Sequence, residues 1–136
     1  MTIVNHECYV SLDVTKLLKE AGFDWECRKI YYCYHEDGDT WELEDNYKNY
    51  KSILKLDHCL LTPTLDVAQR WLREEKNLIL LIDITPSYCN GKPMGYKFVI
   101  HVSCGNHIWG EWKDTYEEAQ EVGIKKALEI ILENVK

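Results

Sequence analysis

The chain has 136 residues, of which 46% are apolar and 12% aromatic, and its formal net charge is −7. This size suits one core, so we expect a single domain over residues 1–136, with a helix and hairpin in 1–62 and an α-β-β-β-α unit in 63–136. The negative charge works against binding to phosphate backbones and to anionic lipid.

The N-terminal stretch and the cysteines indicate the compartment. MTIVNHECYV has neither the basic nor the apolar region of an export signal. The longest aliphatic run, residues 78–82, is far shorter than the roughly 20 residues that span a bilayer. We therefore expect a cytoplasmic protein with no membrane partner, and we interpret its six cysteines as free thiols in a reducing compartment.

The first predicted helix is short and is bracketed by capping residues. Ser11 precedes LDVTKLLKEA as an N-cap, and Gly22 follows it as a C′ glycine, which predicts a helix over 12–21. Its apolar residues share one face and form the predicted buried stripe: Leu12, Leu17, Leu18 and Ala21.

A hairpin is predicted next, because the strand patterns KIYYCYH and TWELE flank Asp37-Gly38. That dipeptide tolerates positive φ at both positions and is typical of a two-residue loop. Such a loop places Cys33 opposite Glu42. The predicted core face then carries Tyr32, Tyr34, Trp41 and Leu43, and the opposite face carries Cys33, His35, Thr40 and Glu42.

The same stretch raises the question of a metal site. Cys33, His35 and Glu42 are ligands of suitable type, and the predicted register places them on one surface. The chain, however, has no Cys-x-x-Cys and no His-x-x-x-His, and an open sheet surface offers no enclosing outer shell. Cys104 and His107 flank a predicted turn and are a further scattered pair. We therefore expect no metal and no cofactor, and we name the first three residues as the ligands if that expectation is wrong.

The middle of the chain contains one stretch without a clear secondary-structure pattern, followed by a clear helix and three clear strands. Residues 45–61 have no dependable period and are interpreted as a long connection. Thr64 then caps LDVAQRWLREEK, and Asn77 is expected to end this second helix. Three strand patterns follow, LILLIDIT, GYKFVIHVSC and HIWGEW, with CNGKPMG and GN as the turns between them.

The C-terminal helix has the clearest pattern. Thr115 and Glu118 form a capping box, and the apolar positions after them follow a 3.6-residue period. Ala119, Gly123 and Ala127 lie at steps of four, and their small side chains let the helix axis come close to a sheet. We therefore expect an α+β fold: an antiparallel sheet with helices packed mainly on one face, in the order α-β-β-α-β-β-β-α.

Part of this helix carries a family resemblance. TYEEAQEVGIKKAL, residues 115–128, has the small and apolar positions and the Lys-Lys-Ala-Leu phrase by which it resembles the double-stranded-RNA-binding domain. The resemblance implies an α-β-β-β-α layout for the second half. The family's phosphate-gripping lysines fall on Tyr116, Glu117 and Gln120, which cannot supply the cations that RNA requires. We therefore expect no double-stranded RNA partner.

Three longer phrases carry a second resemblance. VSLDVTKLLKEAGFDWEC, PTLDVAQRWLREEKNL and DTYEEAQEVGIKKALEIIL resemble, in order, the capped helices of a group of small uncharacterised proteins from phages and prophages of gut Bacteroidales. This resemblance covers most of the chain. It implies an accessory product of a mobile element that acts in the cytoplasm of its bacterial host cell.

No P-loop, GxGxxG, GxSxG or HExxH motif occurs. We predict a non-enzymatic protein that binds a host protein or sequesters a small ligand in counter-defence. Aromatics and Met are enriched in recognition surfaces, so the candidate binding residues are Trp109 and Trp112 in IWGEW and Tyr88 and Met94 in SYCNGKPMGY. A metal- or thiol-dependent enzyme and an RNA-binding domain with a relocated surface are the alternatives, and a homo-oligomer is compatible with each.

Overall fold

The structure is a computed structural model, and it describes residues 8–33, 40–45, 59–84, 88–89, 92–93, 95–103 and 105–134. These residues contain three α-helices and eight β-strands. The elements are α1 (Leu12–Glu20), β1 (Lys29–Cys33), β2 (Trp41–Asp45), β3 (Cys59–Thr62), α2 (Leu65–Lys76), β4 (Ile79–Ile84), β5 (Tyr88–Cys89), β6 (Lys92–Pro93), β7 (Tyr96–Ser103), β8 (Asn106–Trp109) and α3 (Tyr116–Asn134).

The strands form antiparallel sheets, and the predicted α+β class is confirmed. Two sheets have three strands each, in the orders β2-β1-β3 and β4-β7-β8, and β5 pairs with β6 in a short hairpin. The helices pack against the sheets: α3 contacts β7 and β4, α2 contacts β4, and α1 contacts β3. Six strands are thus divided between two sheets, and β5 and β6 form a third pair that overlaps the stretch predicted to be a turn.

Strand β3 is absent from the predicted element order, because it begins within residues 45–61, for which the sequence predicts a long connection. Its residues Cys59, Leu60 and Thr62 are all buried, so no alternation of apolar and polar residues marks the strand in the sequence. The strand pairs with β1, where Ile30 lies opposite Leu61. A strand that is buried on both faces appears in the sequence only as a short apolar run.

The register of β1 on β2 differs from the predicted one, so the predicted faces of this hairpin are wrong. Cys33 lies opposite Trp41, and Tyr32 lies opposite Glu42. The two residues of every pair lie at equal distances along the chain from position 37. An odd number of residues therefore lies between paired positions, whereas a two-residue loop requires an even number. This register brings Lys29 and Asp45 together as an ion pair, an interaction that loop composition does not reveal.

Helix α1 begins and ends as its capping residues predict. The Val14 N–H donates to Ser11 Oγ at 3.3 Å, which satisfies one of the free amides of the first turn. At the other end Gly22 takes a φ of +96°, and the Phe23 N–H donates to the Leu18 carbonyl at 2.9 Å. This is the Schellman arrangement, which requires a left-handed residue at the glycine position.

Helix α2 also has the predicted limits. The Val67 N–H donates to Thr64 Oγ1 at 3.2 Å, and Asn77 ends the helix with a φ of +56°. Trp71 is buried on the inner side of α2, where its ring lies edge-on to Phe23 with centroids 5.4 Å apart. This contact joins α2 to the segment that follows α1.

Helix α3 packs on the second sheet through its small residues, as predicted. Ala119, Gly123 and Ala127 are all buried. A Cβ atom added at Gly123 would lie 2.6 Å from Leu80 Cδ1 and 2.8 Å from Phe98 Cβ. Both distances are far shorter than van der Waals contact, so the glycine lets the helix axis approach β4 and β7 this closely.

A hydrogen bond from α3 completes the N-terminus of α1. The Ser11 N–H donates to Glu121 Oε1 at 3.0 Å. In a capping box this N–H is accepted by a carboxylate at the third helical position, which in α1 is occupied by Val14. Glu121 therefore supplies, from a distant part of the chain, the carboxylate that the local sequence lacks.

A polar bridge connects α3, α2 and β4. Gln120 is only 2% exposed, and its Nε2 donates to Asp66 Oδ1 and to Gln69 Oε1, both at 2.8 Å. Gln69 Nε2 in turn donates to the Leu80 carbonyl at 2.7 Å. The side chain of Gln120 thus lies between two helices, where it satisfies the polar groups that meet there.

The substitution Gly123→Leu tests the close approach of α3. The larger side chain must displace Phe98 or Leu80, so the free energy of unfolding is expected to fall by about 1 to 3 kcal/mol in urea titrations. The loss occurs although Leu is better than Gly inside a helix by somewhat under about 1 kcal/mol. Val122→Leu, on the exposed side of the same helix, is the matched control and should stay within about 0.5 kcal/mol of wild type. A stabilised Gly123→Leu protein would contradict the docking.

Glu121→Ala tests the capping carboxylate that α3 contributes. Loss of the acceptor for the Ser11 N–H should lower the free energy of unfolding by about 1 kcal/mol. Glu121→Gln keeps an acceptor oxygen and should recover most of that loss. Equal effects of the two substitutions in urea titrations would show that the hydrogen bond contributes nothing.

Candidate functional site

The outer face of the β4-β7-β8 sheet carries a row of apolar side chains. Leu81, Val99 and Trp109 lie opposite one another across the three strands. Residues of a strand alternate between faces, so these three point away from the side on which Phe98 meets α3. Leu81 and Trp109 are 48% and 54% exposed, and they flank the buried Val99. An accessible apolar strip therefore crosses the sheet.

One lysine contacts two tryptophans on this face. Lys97 Nζ lies 4.6 Å from the ring centroid of Trp109 and 4.5 Å from that of Trp112. Both distances fall within the roughly 6 Å limit of a cation–π contact. Trp112 is 47% exposed and Trp109 is 54% exposed, so both indoles are accessible to solvent although each contacts Lys97. We call Lys97, Trp109, Trp112 and the adjacent Leu81 the tryptophan patch.

Backbone contacts explain why both tryptophans lie close to Lys97. A Cβ atom at Gly110 would lie 2.2 Å from the Phe98 ring, so only glycine lets the chain pass there after β8. The Gly110 N–H donates to the Phe98 carbonyl at 3.0 Å. Beyond it, Lys113 forms an antiparallel bridge with Tyr96, with N–H to carbonyl bonds in both directions. The segment that contains Trp112 is therefore held alongside β7, the strand that carries Lys97.

A histidine pair lies beside the patch. His101 of β7 and His107 of β8 are opposite each other in the register, and their ring centroids are 4.2 Å apart at an angle of 75°. The His107 ring is 6.5 Å from the Trp109 ring. The sequence pattern pairs His107 with Cys104, which lies outside the described residues. The cross-strand partner His101 becomes apparent only from the register.

The other two predicted binding residues are not placed in the patch. Tyr88 belongs to β5, where it lies opposite Pro93, but its side chain is not among those described. Met94 lies outside the described residues altogether. Trp109 and Trp112 are thus brought together, and a role for any of the four residues in binding stays a prediction.

The three residues named as alternative metal ligands do not form a site within the described structure. Cys33 is buried and Glu42 is exposed, and the observed register places them on opposite faces of the hairpin. His35 lies outside the described residues. In the part of the chain that is described, no three His, Cys, Asp or Glu side chains are grouped so that they could hold a metal ion.

A concave site of about 670 Å³ lies where α1, α3 and the first sheet meet. Its walls combine apolar and ionisable side chains: Tyr9, Val10, Ser11, Asp13, Val14, Tyr31, Leu43, Glu121, Val122 and Lys125. Burial raises the pKa of the Tyr31 phenol, and the negative charge of Glu121 raises it further. Tyr31 therefore remains a neutral hydrogen-bond donor at physiological pH.

The described thiols differ in exposure. Burial raises the pKa of Cys27 to about 12, and it also raises the pKa of Cys59, which the positive charge of Lys19 partly opposes. The thiolate is the reactive form of cysteine, so burial works against nucleophilic chemistry at both positions. Cys8, by contrast, is exposed.

Cys8 should therefore react with iodoacetamide before Cys27 does. With a pKa of about 12, the fraction of Cys27 present as thiolate at pH 8 is only about one in ten thousand. A short labelling pulse followed by peptide mass spectrometry is expected to modify Cys8 in the native protein and Cys27 only after denaturation. Equal labelling rates at the two positions would contradict the burial of Cys27.

Among the described helices, none is both long enough and apolar enough to cross a membrane. Comparison of the chain with protein-family models, with curated proteins and with solved structures gives no match.

Proposed function

We propose that this is a non-enzymatic binding protein whose tryptophan patch engages a partner protein. The observation that carries the proposal is the pair of accessible indoles, Trp109 and Trp112, on either side of the Lys97 ammonium group. Tryptophan is the residue type most enriched among the few side chains that dominate binding energy in protein interfaces. Here two of them contact the same lysine, Trp109 at the end of β8 and Trp112 in the segment that follows.

The shape of the patch favours a protein over a small molecule. Pockets for small ligands are concave and enclose most of the ligand. Leu81 and Trp109 line an open cleft of about 430 Å³ on the outer face of the sheet, but the tryptophan patch extends beyond this cleft to Lys97 and Trp112. The cation–π contacts to Lys97 restrict the motion of both indoles. Side chains that are already restricted lose less conformational entropy when a partner binds.

The resemblance to phage and prophage proteins supports a context for this activity. In our proposal the protein is an accessory product of a mobile element, it acts in the cytoplasm of a bacterial host cell, and its partner is a host protein involved in defence. The chemistry of the patch selects a partner surface that is apolar around one acceptor group, which would meet the Lys97 ammonium.

Sequestration of a small ligand is a second candidate function, favoured by the concave site between α1 and α3. That site has a volume of about 670 Å³ and combines apolar walls with the Tyr31 phenol, Glu121 and Lys125. Clefts of this size and mixed lining are typical of small-molecule sites. The two candidate functions use different surfaces, so substitutions separate them.

The protein-binding proposal is tested with Trp109→Ala, Trp112→Ala and a matched control, Leu43→Ala, at an exposed apolar residue on the first sheet. Affinity-tagged full-length proteins are used to capture partners from Bacteroidales lysate, and any protein that distinguishes the variants is purified and titrated. Each tryptophan variant should weaken that partner's binding by about 2 kcal/mol or more, whereas Leu43→Ala should leave it unchanged.

Circular dichroism and thermal unfolding establish that the variants are folded. A partner that binds wild type and both tryptophan variants equally would contradict the proposal. Loss of the partner's binding only in Leu43→Ala, which lines the concave site, would place the protein contact there and would also contradict the proposal.

A further inference from the structure

We infer that His101 and His107 form a clamp for one divalent transition-metal ion of the kind that prefers imidazole ligands, such as Cu²⁺, Ni²⁺ or Zn²⁺. The two residues lie opposite each other at the end of the β7-β8 hairpin, and their ring centroids are 4.2 Å apart. Nothing in the tryptophan patch uses either imidazole as a hydrogen-bond or ionic partner, so the inference goes beyond the proposed function.

The separation of the rings suits two bonds to one metal ion. A bond from histidine nitrogen to zinc is about 2.0 to 2.1 Å long, so two nitrogens on the same ion lie within about 4 Å of each other. The observed 4.2 Å separates the ring centroids rather than two nitrogens, and one ring presents its edge to the face of the other. Rotation of the imidazoles about their side-chain bonds brings a nitrogen of each toward a shared ion, with no change in the backbone.

The strand pairing keeps the two histidines in place. Ile100 and Ile108 pair directly beside them, and both belong to or pack against the core, so the spacing between the strands is fixed there. The turn that follows contains Gly105 with a φ of +82°, and the register shifts between His101 and Ser103. A ligand pair on two hydrogen-bonded strands loses less entropy on metal binding than a pair on a loop.

The clamp is open on its outer side. The cross-strand neighbour of His101 on β4 is Ile79, which cannot bind a metal, and the described residues supply no third ligand. Water or a donor atom from another molecule can fill the coordination positions that the two imidazoles leave open. An ion held in this way exchanges readily and is distinct from the structural zinc that the sequence argues against.

Trp109 serves as a built-in reporter for the test, because its ring is 6.5 Å from that of His107. Untagged, EDTA-treated full-length protein is titrated with CuCl₂ and with NiCl₂, and binding is followed by tryptophan fluorescence and by isothermal titration calorimetry. We expect one ion per chain, quenching by Cu²⁺ that is reduced in Trp109→Ala, and no binding of Mg²⁺, which prefers oxygen ligands.

His101→Ala and His107→Ala should each weaken the binding at least about tenfold, since even loss of an outer-shell partner of a metal ligand costs that much. The control Cys8→Ser, which removes an exposed thiol of another part of the chain, should bind as wild type does. His101→Gln and His107→Gln are a second pair of variants of similar size, should either alanine variant prove misfolded by circular dichroism.

Three results would overturn the inference. One is the absence of one-to-one binding by the folded wild-type protein. Another is unchanged affinity in all the His101 and His107 variants. The third is loss of binding in Cys8→Ser, which would place the ion elsewhere. None of them bears on the tryptophan patch, whose partner is tested without added metal.

Discussion

The contact of Gly123 with Phe98 and Leu80 is the constraint on which the rest of the fold depends. It lets α3 lie directly on β4 and β7, and it fixes the rotation of the helix about its own axis. Because successive helical residues point about 100° apart, Gln120 and Glu121 then face different neighbours. Gln120 reaches the polar groups of α2, and Glu121 reaches the N-terminus of α1. One close approach to the sheet thus positions both of the other helices.

The same contact sets the geometry of the tryptophan patch. Phe98 lies under Gly123 on the inner face, so its neighbours Lys97 and Val99 must project from the outer face of β7. The Phe98 ring also meets the backbone at Gly110, and this directs the chain after β8 back along β7. Packing inside the core therefore determines which side chains come together outside it.

The sequence predicts local features of this fold well and long-range ones poorly. Ser11, Thr64 and Thr115 mark helix starts correctly because a cap involves residues only three positions apart. The hairpin register could not be predicted from Asp37-Gly38, because contacts between strands decide it. The accessible tryptophans Trp109 and Trp112 were named from residue type alone. Neither Lys97 between them nor His101 opposite His107 has a signal in the sequence, since both contacts depend on the pairing of distant positions.

In the binding function that we propose, the position of Lys97 restricts the partners that the patch would accept. Its ammonium group faces two indoles, whose ring faces attract a cation but do not replace all of its hydrogen bonds to water. A partner that covered the patch with apolar side chains alone would bury this charge without an acceptor, at a cost of several kcal/mol. A partner that offers a carboxylate or carbonyl oxygen at that point would gain the area of both tryptophans and would offset part of that cost. In the proposed complex the indoles thus supply the apolar contact area, and Lys97 makes the surface selective among apolar partners.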